Sequence, residues 1–241
     1  MGIKLTTLGP QEPNNLLTSY TYEACEERKL QVNAKKTQLL SISNSSYKTR
    51  AWLIMINGSV MYSDNSFKIL GFCFSIYQNV HAQIDNIIRQ AASRFFVIRQ
   101  LASLDDDKNK LKNISCSVVR SVIEYSSVTY GPMLTKYQSK KLEDLQKRCL
   151  KTIYGYDKTY EDLLEESSLD TLERRRTNAV FKFAKKMASN PQFNHWFPKN
   201  PNRQSERTSK PYLEEIAKSN RLYNSPLFTM RRVLNEEKKR E

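Results

Sequence analysis

Metal-binding residue types are scarce in this sequence, which has four cysteines and two histidines among 241 residues. These six are Cys25, Cys73, Cys116, Cys149, His81 and His195. No Cys-x-x-Cys pair occurs, so the ligand spacing of a zinc finger or zinc knuckle is missing. Single cysteines within apolar stretches are typical of reduced core thiols in an intracellular protein. The sequence therefore predicts no metal site in this chain.

Long apolar runs are missing as well. The longest run, residues 51–56, is far shorter than the roughly 20 residues that a membrane span requires. The first residues do not show the basic stretch followed by an apolar one that marks a secretory leader. We therefore expect an intracellular chain, in the nucleus or the cytoplasm, with no membrane among its partners.

Glycine and proline are few, at 6 and 8 residues, while 27% of the residues are charged and 39% are hydrophobic. This composition indicates a globular, helix-rich protein. Its unusual property is charge, because 39 Lys and Arg stand against 25 Asp and Glu and give a net charge of +14. Such an excess favours a polyanionic partner. Nucleic acid is the first candidate, and an anionic membrane surface is the second.

The first third of the chain has a mixed pattern. Helical spacing of apolar residues predicts a helix over residues 15–30, and a short apolar run predicts a strand over 38–43. Residues 52–56 and 59–62 flank Asn57-Gly58, a pair typical of a type I′ turn, so they predict a two-stranded hairpin. Residues 67–74 predict one further strand, in which Gly71 marks a bend or a close backbone approach.

The rest of the chain shows helical periodicity. Apolar residues recur every three to four positions and predict helices over about 80–101, 108–130, 136–154 and 169–189. Gly155 is the expected stop of the third helix. Residues 190–211 predict a loop, and 212–241 predict short helices with a fraying end. The cluster Asp105-Asp106-Asp107 is expected to cap the following helix at its N-terminus and not to bind metal.

Two short segments of the first third are distinctive: residues 30–38, LQVNAKKTQ, and residues 67–71, FKILG. They resemble the fourth and fifth conserved motifs of non-LTR retrotransposon reverse transcriptases of the jockey/LINE-like type. Downstream segments agree in order and spacing; they are 120–126 (RSVIEYS), 142–148 (LEDLQKR), 172–176 (LERRR) and 196–198 (WFP). Together the matching segments extend over roughly residues 15–235.

The resemblance implies an α+β fold. It implies the end of a reverse-transcriptase palm over residues 1–78, as a small β-hairpin or sheet with one helix. A helical thumb would follow over 79–158, and a helical C-terminal extension with a loop at 190–211 would complete the chain over 159–241. By resemblance the chain is then the C-terminal fragment of an RNA-directed DNA polymerase, a nucleotidyltransferase of a transposable element. Its thumb would grip the primer–template duplex by its backbone, reading shape and not base sequence.

The resemblance also implies roles for individual residues. Lys36 would lie near the incoming nucleotide and neutralise charge or donate a proton to the departing pyrophosphate; the alternative is a solvated lysine in a turn. The segment 67–71 would be a hairpin that grips the primer end, and the alternative is an ordinary buried strand. Residues expected to contact nucleic acid are Lys35, Phe67, Lys68, Leu70, Gly71, Arg89, Arg94, Arg99, Arg174, Arg175, Arg176 and Lys182. The basic cluster at 174–186 is expected to line the outer faces of one helix, where a purely solvated role is the alternative.

The sequence departs from the family at one essential point. Polymerase chemistry requires aspartates, including a Tyr- or Phe-x-Asp-Asp turn, that hold two Mg²⁺ ions. No such turn occurs here, so we expect no cofactor in this chain and no polymerase activity from it alone. Mg²⁺ is expected only for the complete polymerase. The expected partners are an RNA–DNA or primer–template duplex and the missing palm and fingers portion.

Two other functions fit the same residues. The chain can be a domesticated or decayed retroelement product that acts as a non-catalytic basic nucleic-acid-binding or scaffold protein. It can also be a basic helical adaptor for anionic membranes or acidic proteins.

Overall fold

The computed structural model describes residues 4–7, 25, 27–30, 33, 36–41, 53–56, 59–76, 80–104, 107–201 and 210–237. Over these residues the protein is mixed α+β and mostly helical, which confirms the predicted α+β class. The chain divides into two compact units, residues 1–83 and residues 84–241. Unit 1 contains the described strands, and unit 2 is helical.

Unit 1 pairs its strands in three two-stranded sheets. The strands are β1 (Lys4–Thr7), β2 (Gln38–Ser41), β3 (Leu53–Ile56), β4 (Ser59–Tyr62), β5 (Ser66–Ile69) and β6 (Phe72–Ser75). β1 and β2 are parallel, whereas β3–β4 and β5–β6 are antiparallel. Ile56 lies opposite Ser59, so a two-residue connection joins β3 to β4 and the predicted hairpin is confirmed. Its turn residues, 57 and 58, lie outside the described residues.

The hairpin β5–β6 replaces the single strand predicted over residues 67–74, so that prediction is wrong, whereas the bend predicted at Gly71 is confirmed. Leu70 and Gly71 form the turn, with φ of +47° and +84°. A two-residue turn of this kind needs positive φ at both positions, which glycine adopts freely. For Leu70 the left-handed conformation costs roughly 1–2 kcal/mol. The strand prediction failed because a leucine stands where Asn or Asp usually marks such a turn.

The interior of unit 1 forms around β2. Leu39 and Leu40 are buried, and the backbone N–H of Asp64 donates to the Leu39 carbonyl oxygen at 2.7 Å. Gln83 is buried too, and its Oε1 accepts from the backbone N–H of Cys73 at 3.0 Å. A side-chain amide thus satisfies a backbone donor of β6. The strand predicted over 38–43 is confirmed over residues 38–41, and residues 42 and 43 lie outside the described residues. Of the helix predicted over 15–30, only residues 25 and 27–30 are described.

The helix α1 (His81–Ala102) confirms the helix predicted over 80–101. In unit 2 its buried residues are Ile84, Ile87, Ala91 and Ile98. Their spacing of three, four and seven residues places them on one side of the helix. The opposite side is exposed.

The helix predicted over 108–130 is interrupted, so that prediction is wrong as a single element. The chain forms α2 (Lys108–Ser115), a π-helical turn at Cys116–Arg120, α3 (Ser121–Glu124) and α4 (Ser127–Tyr130). Ser126 interrupts the helix between α3 and α4, because its backbone is left-handed with φ of +58°. Apolar periodicity continues across both interruptions, which is why the sequence predicts one helix.

Side chains satisfy backbone carbonyl and N–H groups along this interrupted segment. Nη1 of Arg94 donates to the carbonyl oxygen of Val118, inside the π turn, at 2.9 Å. The buried Tyr130 hydroxyl donates to the Ile123 carbonyl oxygen. At the other end Asp107 caps α2, because its Oδ1 accepts from the N–H groups of Asn109 and Lys110 at 3.0 Å. The predicted capping role is confirmed for Asp107, while Asp105 and Asp106 lie outside the described residues.

The remaining elements pack around two long helices. A 3₁₀ turn at Gly131–Met133 leads into α5 (Lys136–Tyr154), which Thr135 and Gln138 start with a reciprocal capping box. This helix stops before Gly155, as predicted. There follow α6 (Tyr160–Ser167), α7 (Leu172–Ala188), a 3₁₀ helix at Pro191–Trp196, α8 (Asn220–Tyr223) and α9 (Pro226–Glu237). The sequence did not predict α6, and α7 begins three residues later than expected.

The C-terminal part of unit 2 has its own apolar cluster. Its members are Val180, Ala184, Phe197, Met230 and Leu234. Beside it the buried Asn235 of α9 accepts from the backbone N–H of Tyr212 at 3.0 Å and donates to the Tyr212 carbonyl oxygen at 3.1 Å. The loop predicted over 190–211 contains the 3₁₀ helix at Pro191–Trp196. It ends just before Tyr212, which is hydrogen-bonded to α9. Residues 202–209 lie outside the described residues.

Alanine substitutions at two glycines test the backbone conformations at those positions. Gly155 has φ of +118°, and a Cβ there would lie 2.6 Å from Oδ1 of Asp157, so Gly155→Ala should destabilise the chain by more than about 1 kcal/mol. Gly131 has φ of −52°, and its added Cβ would meet the Arg176 side chain at ordinary contact distances, 3.7 Å from Cδ and 3.8 Å from Cβ. Gly131→Ala should leave stability unchanged or raise it by about 0.4–1 kcal/mol. Urea unfolding measures both, and equal destabilisation by the two alanines would contradict the assigned conformations.

Candidate nucleic-acid interface

The excess positive charge of unit 2 belongs to its three long helices. Together α1, α5 and α7 contain 15 Lys and Arg against 4 Asp and Glu. The other residues of unit 2 contain 16 of each sign. The net positive charge of unit 2 therefore lies on these three helices, and the rest of the unit has equal numbers of basic and acidic residues.

The exposed side of α1 combines arginine with aromatic surface. Asp85 is the only acidic residue of this helix. Arg89, Phe96 and Arg99 share one side, since their positions fall within about 80° of one another at 100° per residue. Phe96 is 54% exposed, and the Arg99 guanidinium carbon lies 5.8 Å from its ring centroid. Within the described part of the chain no carboxylate lies within ion-pair distance of either arginine.

Arg94 has a different environment. It is exposed, but Nη1 is engaged by the Val118 carbonyl oxygen. Only the rest of its guanidinium is available to a phosphate. Its structural task is to satisfy the π turn.

A row of lysines runs along one side of α5. Its members are Lys136, Lys140, Lys147 and Lys151. These positions fall within about 60° around the helix axis and span about 22 Å along it. A second pair, Lys141 and Arg148, lies beside the row, and each packs over an aromatic ring: Lys141 Nζ is 4.5 Å from the Tyr137 centroid and Arg148 Cζ is 5.2 Å from that of Phe95. The side of α5 that faces solvent is thus predominantly cationic.

The three consecutive arginines of α7 have three different environments. Arg174 is exposed and pairs with Asp170 at 3.2 Å. Arg175 donates through two nitrogens to the Glu124 carboxylate, and this hydrogen bonding raises the pKa of Arg175. Arg176 is buried, with 5% exposure. Three successive helical positions point 100° apart, so the expectation that all three line an outer face is wrong for Arg176. Lys182, further along α7, is exposed.

In unit 1 both Lys36 and Thr37 donate hydrogen bonds to Asn33. The backbone N–H of Lys36 donates to Oδ1 of Asn33 at 3.3 Å and to its carbonyl oxygen at 3.1 Å. Thr37 is buried, and its hydroxyl donates to the same carbonyl oxygen at 2.9 Å. Thr37 directly precedes β2, and the Lys36 side chain is exposed. Lys35 lies outside the described residues.

The other unit 1 residues expected at the interface lie on the hairpin β5–β6. Phe67 is buried and packs on Phe74, with ring centroids 5.7 Å apart. Lys68 and Gly71 are exposed, and Leu70 at the tip is 86% exposed. Phe67 therefore anchors the hairpin, while the tip meets solvent.

A polar network that the sequence did not predict joins α5, α6 and α7. Oε1 of Glu143 accepts from the Tyr160 hydroxyl at 2.5 Å and from the backbone N–H of Leu172 at 2.9 Å. Nε2 of Gln146 donates to the Tyr160 hydroxyl at 3.0 Å and to the Asp170 carbonyl oxygen at 3.1 Å. Burial and the bond to Glu143 raise the pKa of Tyr160 well above its usual value. Only the pairing of Glu143 with Gln146 at helical spacing could have signalled this network.

A groove of about 480 Å³ lies along this network. It is lined by Lys136, Ser139, Lys140, Glu143, Asp144, Lys147, Tyr160 and Glu173. Three lysines of the row thus border an open channel. Glu143, Asp144 and Glu173 line the groove too, so the charges of its lining are balanced, and of the row only Lys151 lies outside it.

Comparison with models of known protein families, with curated proteins and with solved structures finds no match for this chain. The described residues contain no group of three or more His, Cys, Asp or Glu side chains that could hold a metal ion. Across the described ranges no helix is long and apolar enough to cross a membrane.

The Glu143 network should contribute measurably to stability. Glu143→Ala removes the acceptor of two hydrogen bonds and leaves the N–H of Leu172 without it, so we expect a loss of about 2–4 kcal/mol in the free energy of unfolding. Asp144→Ala removes an equal charge from an exposed neighbour and should change it by less than about 0.5 kcal/mol. Urea unfolding compares the two, and a similar small change in both would contradict the network.

Tyr160 should make the chain sensitive to alkali. Its pKa is raised above the value of 10.0 expected when unfolded, so its stabilising contribution is complete below pH 10 and is lost as pH rises through the folded-state pKa. The free energy of unfolding should fall above pH 10 less steeply in Tyr160→Phe than in the unmodified chain. Tyr156→Phe, at an exposed tyrosine, should retain the original slope. Urea unfolding at several alkaline pH values measures these slopes, and identical slopes in all three chains would refute the assignment.

Proposed function

We propose that this chain grips a nucleic-acid duplex by its phosphate backbone, as the C-terminal, duplex-holding part of a non-LTR retrotransposon reverse transcriptase. The observation that carries the proposal is the confinement of unit 2's excess charge to α1, α5 and α7. Phosphate contacts from Lys and Arg supply most of the affinity of sequence-independent binding.

The lysine row of α5 suits such contacts. Its neighbours Lys136 and Lys140 are separated by about 6 Å along the helix, and Lys140 and Lys147 by about 10 Å. Duplex phosphates follow one another at 3.4 Å of axial rise per strand, so a row of this length can meet several of them. The exposed arginines and Phe96 of α1 add charge and an apolar contact surface of the kind found beside nucleic-acid backbones.

The order of the segments supports the polymerase part of the proposal. In it, residues 1–78 are the end of the palm, 79–158 the thumb and 159–241 the C-terminal extension. Lys36 is exposed, and its backbone N–H is held by Asn33, as suits a nucleotide-proximal lysine. The exposed tip of β5–β6 suits a hairpin that contacts the primer end. Polymerisation itself would depend on aspartates and Mg²⁺ supplied by the palm and fingers.

Salt dependence tests the duplex-binding proposal. We expect binding of an RNA–DNA hybrid to exceed binding of a single strand of equal length and to weaken steeply with salt. Lys140→Gln/Lys147→Gln/Lys151→Gln should reduce the log–log salt slope by about 2–3. Fluorescence anisotropy with labelled hybrid measures this slope across a salt series.

The matched control is Lys199→Gln/Arg221→Gln/Lys218→Gln, which removes three exposed charges from the balanced part of unit 2. Its slope should stay close to that of the unmodified chain. Equal losses in both triple variants would show that only net charge matters and would contradict the proposed surface. Duplex binding without primer extension after addition of the palm and fingers would instead identify a non-catalytic binding protein.

A further inference from the structure

Two tyrosine rings on the cationic side of α5 are exposed to solvent. Tyr137, in the first turn of the helix, is 67% exposed, and Tyr156, two residues past its end, is 69% exposed. A buried aromatic ring stabilises a protein because its large apolar surface leaves water. Neither of these rings does so to a large extent, and each presents π surface to solvent.

Tyr137 lies between the two sets of cations on α5. At 100° per residue, its position falls between the lysine row and the pair Lys141 and Arg148 around the helix axis. Lys141 Nζ lies 4.5 Å from the ring centroid, and a cation in this position is attracted to the ring face that it covers. Because the ring is still mostly exposed, the rest of its surface is available to a flat ligand.

Tyr156 lies at the other end of the same side of the helix. Its hydroxyl is hydrogen-bonded to that of Thr152, with 3.1 Å between the oxygens, and its carbonyl oxygen accepts from Lys151 Nζ at 3.2 Å. Lys151 is the last member of the lysine row, and its ammonium group keeps two further N–H donors. These contacts hold Tyr156 beside the row, although it follows the helix in sequence.

The two rings therefore lie near the two ends of the lysine row. Residue 137 and residue 152, which holds the Tyr156 hydroxyl, are separated by about 22 Å along α5. Successive phosphates of one strand in a duplex rise by about 3.4 Å, so this length corresponds to about six nucleotides. A strand that follows the row thus has an aromatic ring near each end of its contact.

An exposed ring beside a cation matches the chemistry of an unpaired nucleotide. The base can stack on the ring while its phosphate pairs with the ammonium group. In the interior of a duplex both faces of each base are covered by neighbouring bases. Only an unpaired or terminal base offers a free face, so the ligand that uses both the ring and the cation is single-stranded.

We propose that Tyr137 and Tyr156 stack unpaired nucleobases at the two ends of the lysine row, so that α5 binds a duplex that continues into single strand. The inference rests on the proposed function, because the row must hold the duplex phosphates. It adds a base-dependent contribution to the affinity that charge supplies. Every base has a π face, so this contribution tolerates any base sequence.

Three RNA–DNA hybrids with the same duplex test the stacking. The first is blunt, the second has a four-nucleotide extension at each end, and the third has the same extensions with every base removed. The base-free extensions carry the same phosphates as the second hybrid, so the ratio of the two Kd values isolates the bases. We expect the hybrid with bases to bind about tenfold more tightly, as stacking of one or two bases gives. Fluorescence anisotropy measures the three Kd values.

Substitutions of the two tyrosines locate the effect. Tyr137→Leu/Tyr156→Leu removes both π faces and no charge, so the ratio should fall below about twofold. The Kd for the blunt hybrid and its salt slope should not change. Tyr137→Phe/Tyr156→Phe keeps both rings and should keep the tenfold ratio.

The matched control is Tyr223→Leu. Tyr223 is also exposed, at 51%, and the Arg232 guanidinium carbon lies 4.2 Å from its ring centroid. It belongs to α8, in the part of unit 2 that has equal numbers of basic and acidic residues. Its loss should leave the ratio at its original value.

The outcomes separate this inference from the proposed function. Salt-dependent binding of the blunt hybrid, with equal Kd values for extensions with and without bases, would overturn the stacking and leave duplex binding in place. A tenfold ratio that persists in Tyr137→Leu/Tyr156→Leu, with unchanged thermal unfolding, would overturn it too. If no hybrid binds in a salt-dependent manner, the proposed function fails and this inference fails with it.

Discussion

The Glu143 carboxylate joins three helices of unit 2, because it accepts both the Tyr160 hydroxyl of α6 and the first backbone N–H of α7. A carboxylate at a helix N-terminus satisfies an orphan donor and meets the positive end of the dipole. This contact fixes where α7 starts relative to α5. The rotation of α7 about its axis follows from that start, and it directs Arg175 to Glu124 and Arg176 to Ser139.

The positive charge on three helices disfavours the folded state through repulsion, and individual ion pairs reduce this repulsion. Three helices with 15 basic and 4 acidic residues repel one another. Pairs such as Arg174 with Asp170 and Lys185 with Glu237 relieve part of this repulsion, although exposed pairs contribute little each. Much of the basic surface stays uncompensated. A protein that keeps such a surface gains stability when a polyanion binds it.

Local signals in the sequence predicted the regular elements well. The β3–β4 hairpin, α1, α5 with its stop at Gly155, and the Asp107 cap each depend on neighbouring residues alone. The errors arose where distant side chains decide the backbone. Arg94 lies 24 residues before the π-turn carbonyl that it satisfies, and the β5–β6 turn places leucine in a conformation that sequence preference disfavours. The burial of Arg176 and the Glu143 network depend likewise on how α5, α6 and α7 pack, which periodicity within one helix does not encode.

The paired hydrogen bonds between Asn235 and the Tyr212 backbone have a consequence for self-association. The amide side chain presents to Tyr212 the same donor and acceptor that the edge of a neighbouring strand would present. A helix therefore occupies the position of a β-partner for this extended segment. Because those backbone groups are already engaged, another copy of the chain cannot use them as a template for intermolecular sheet growth.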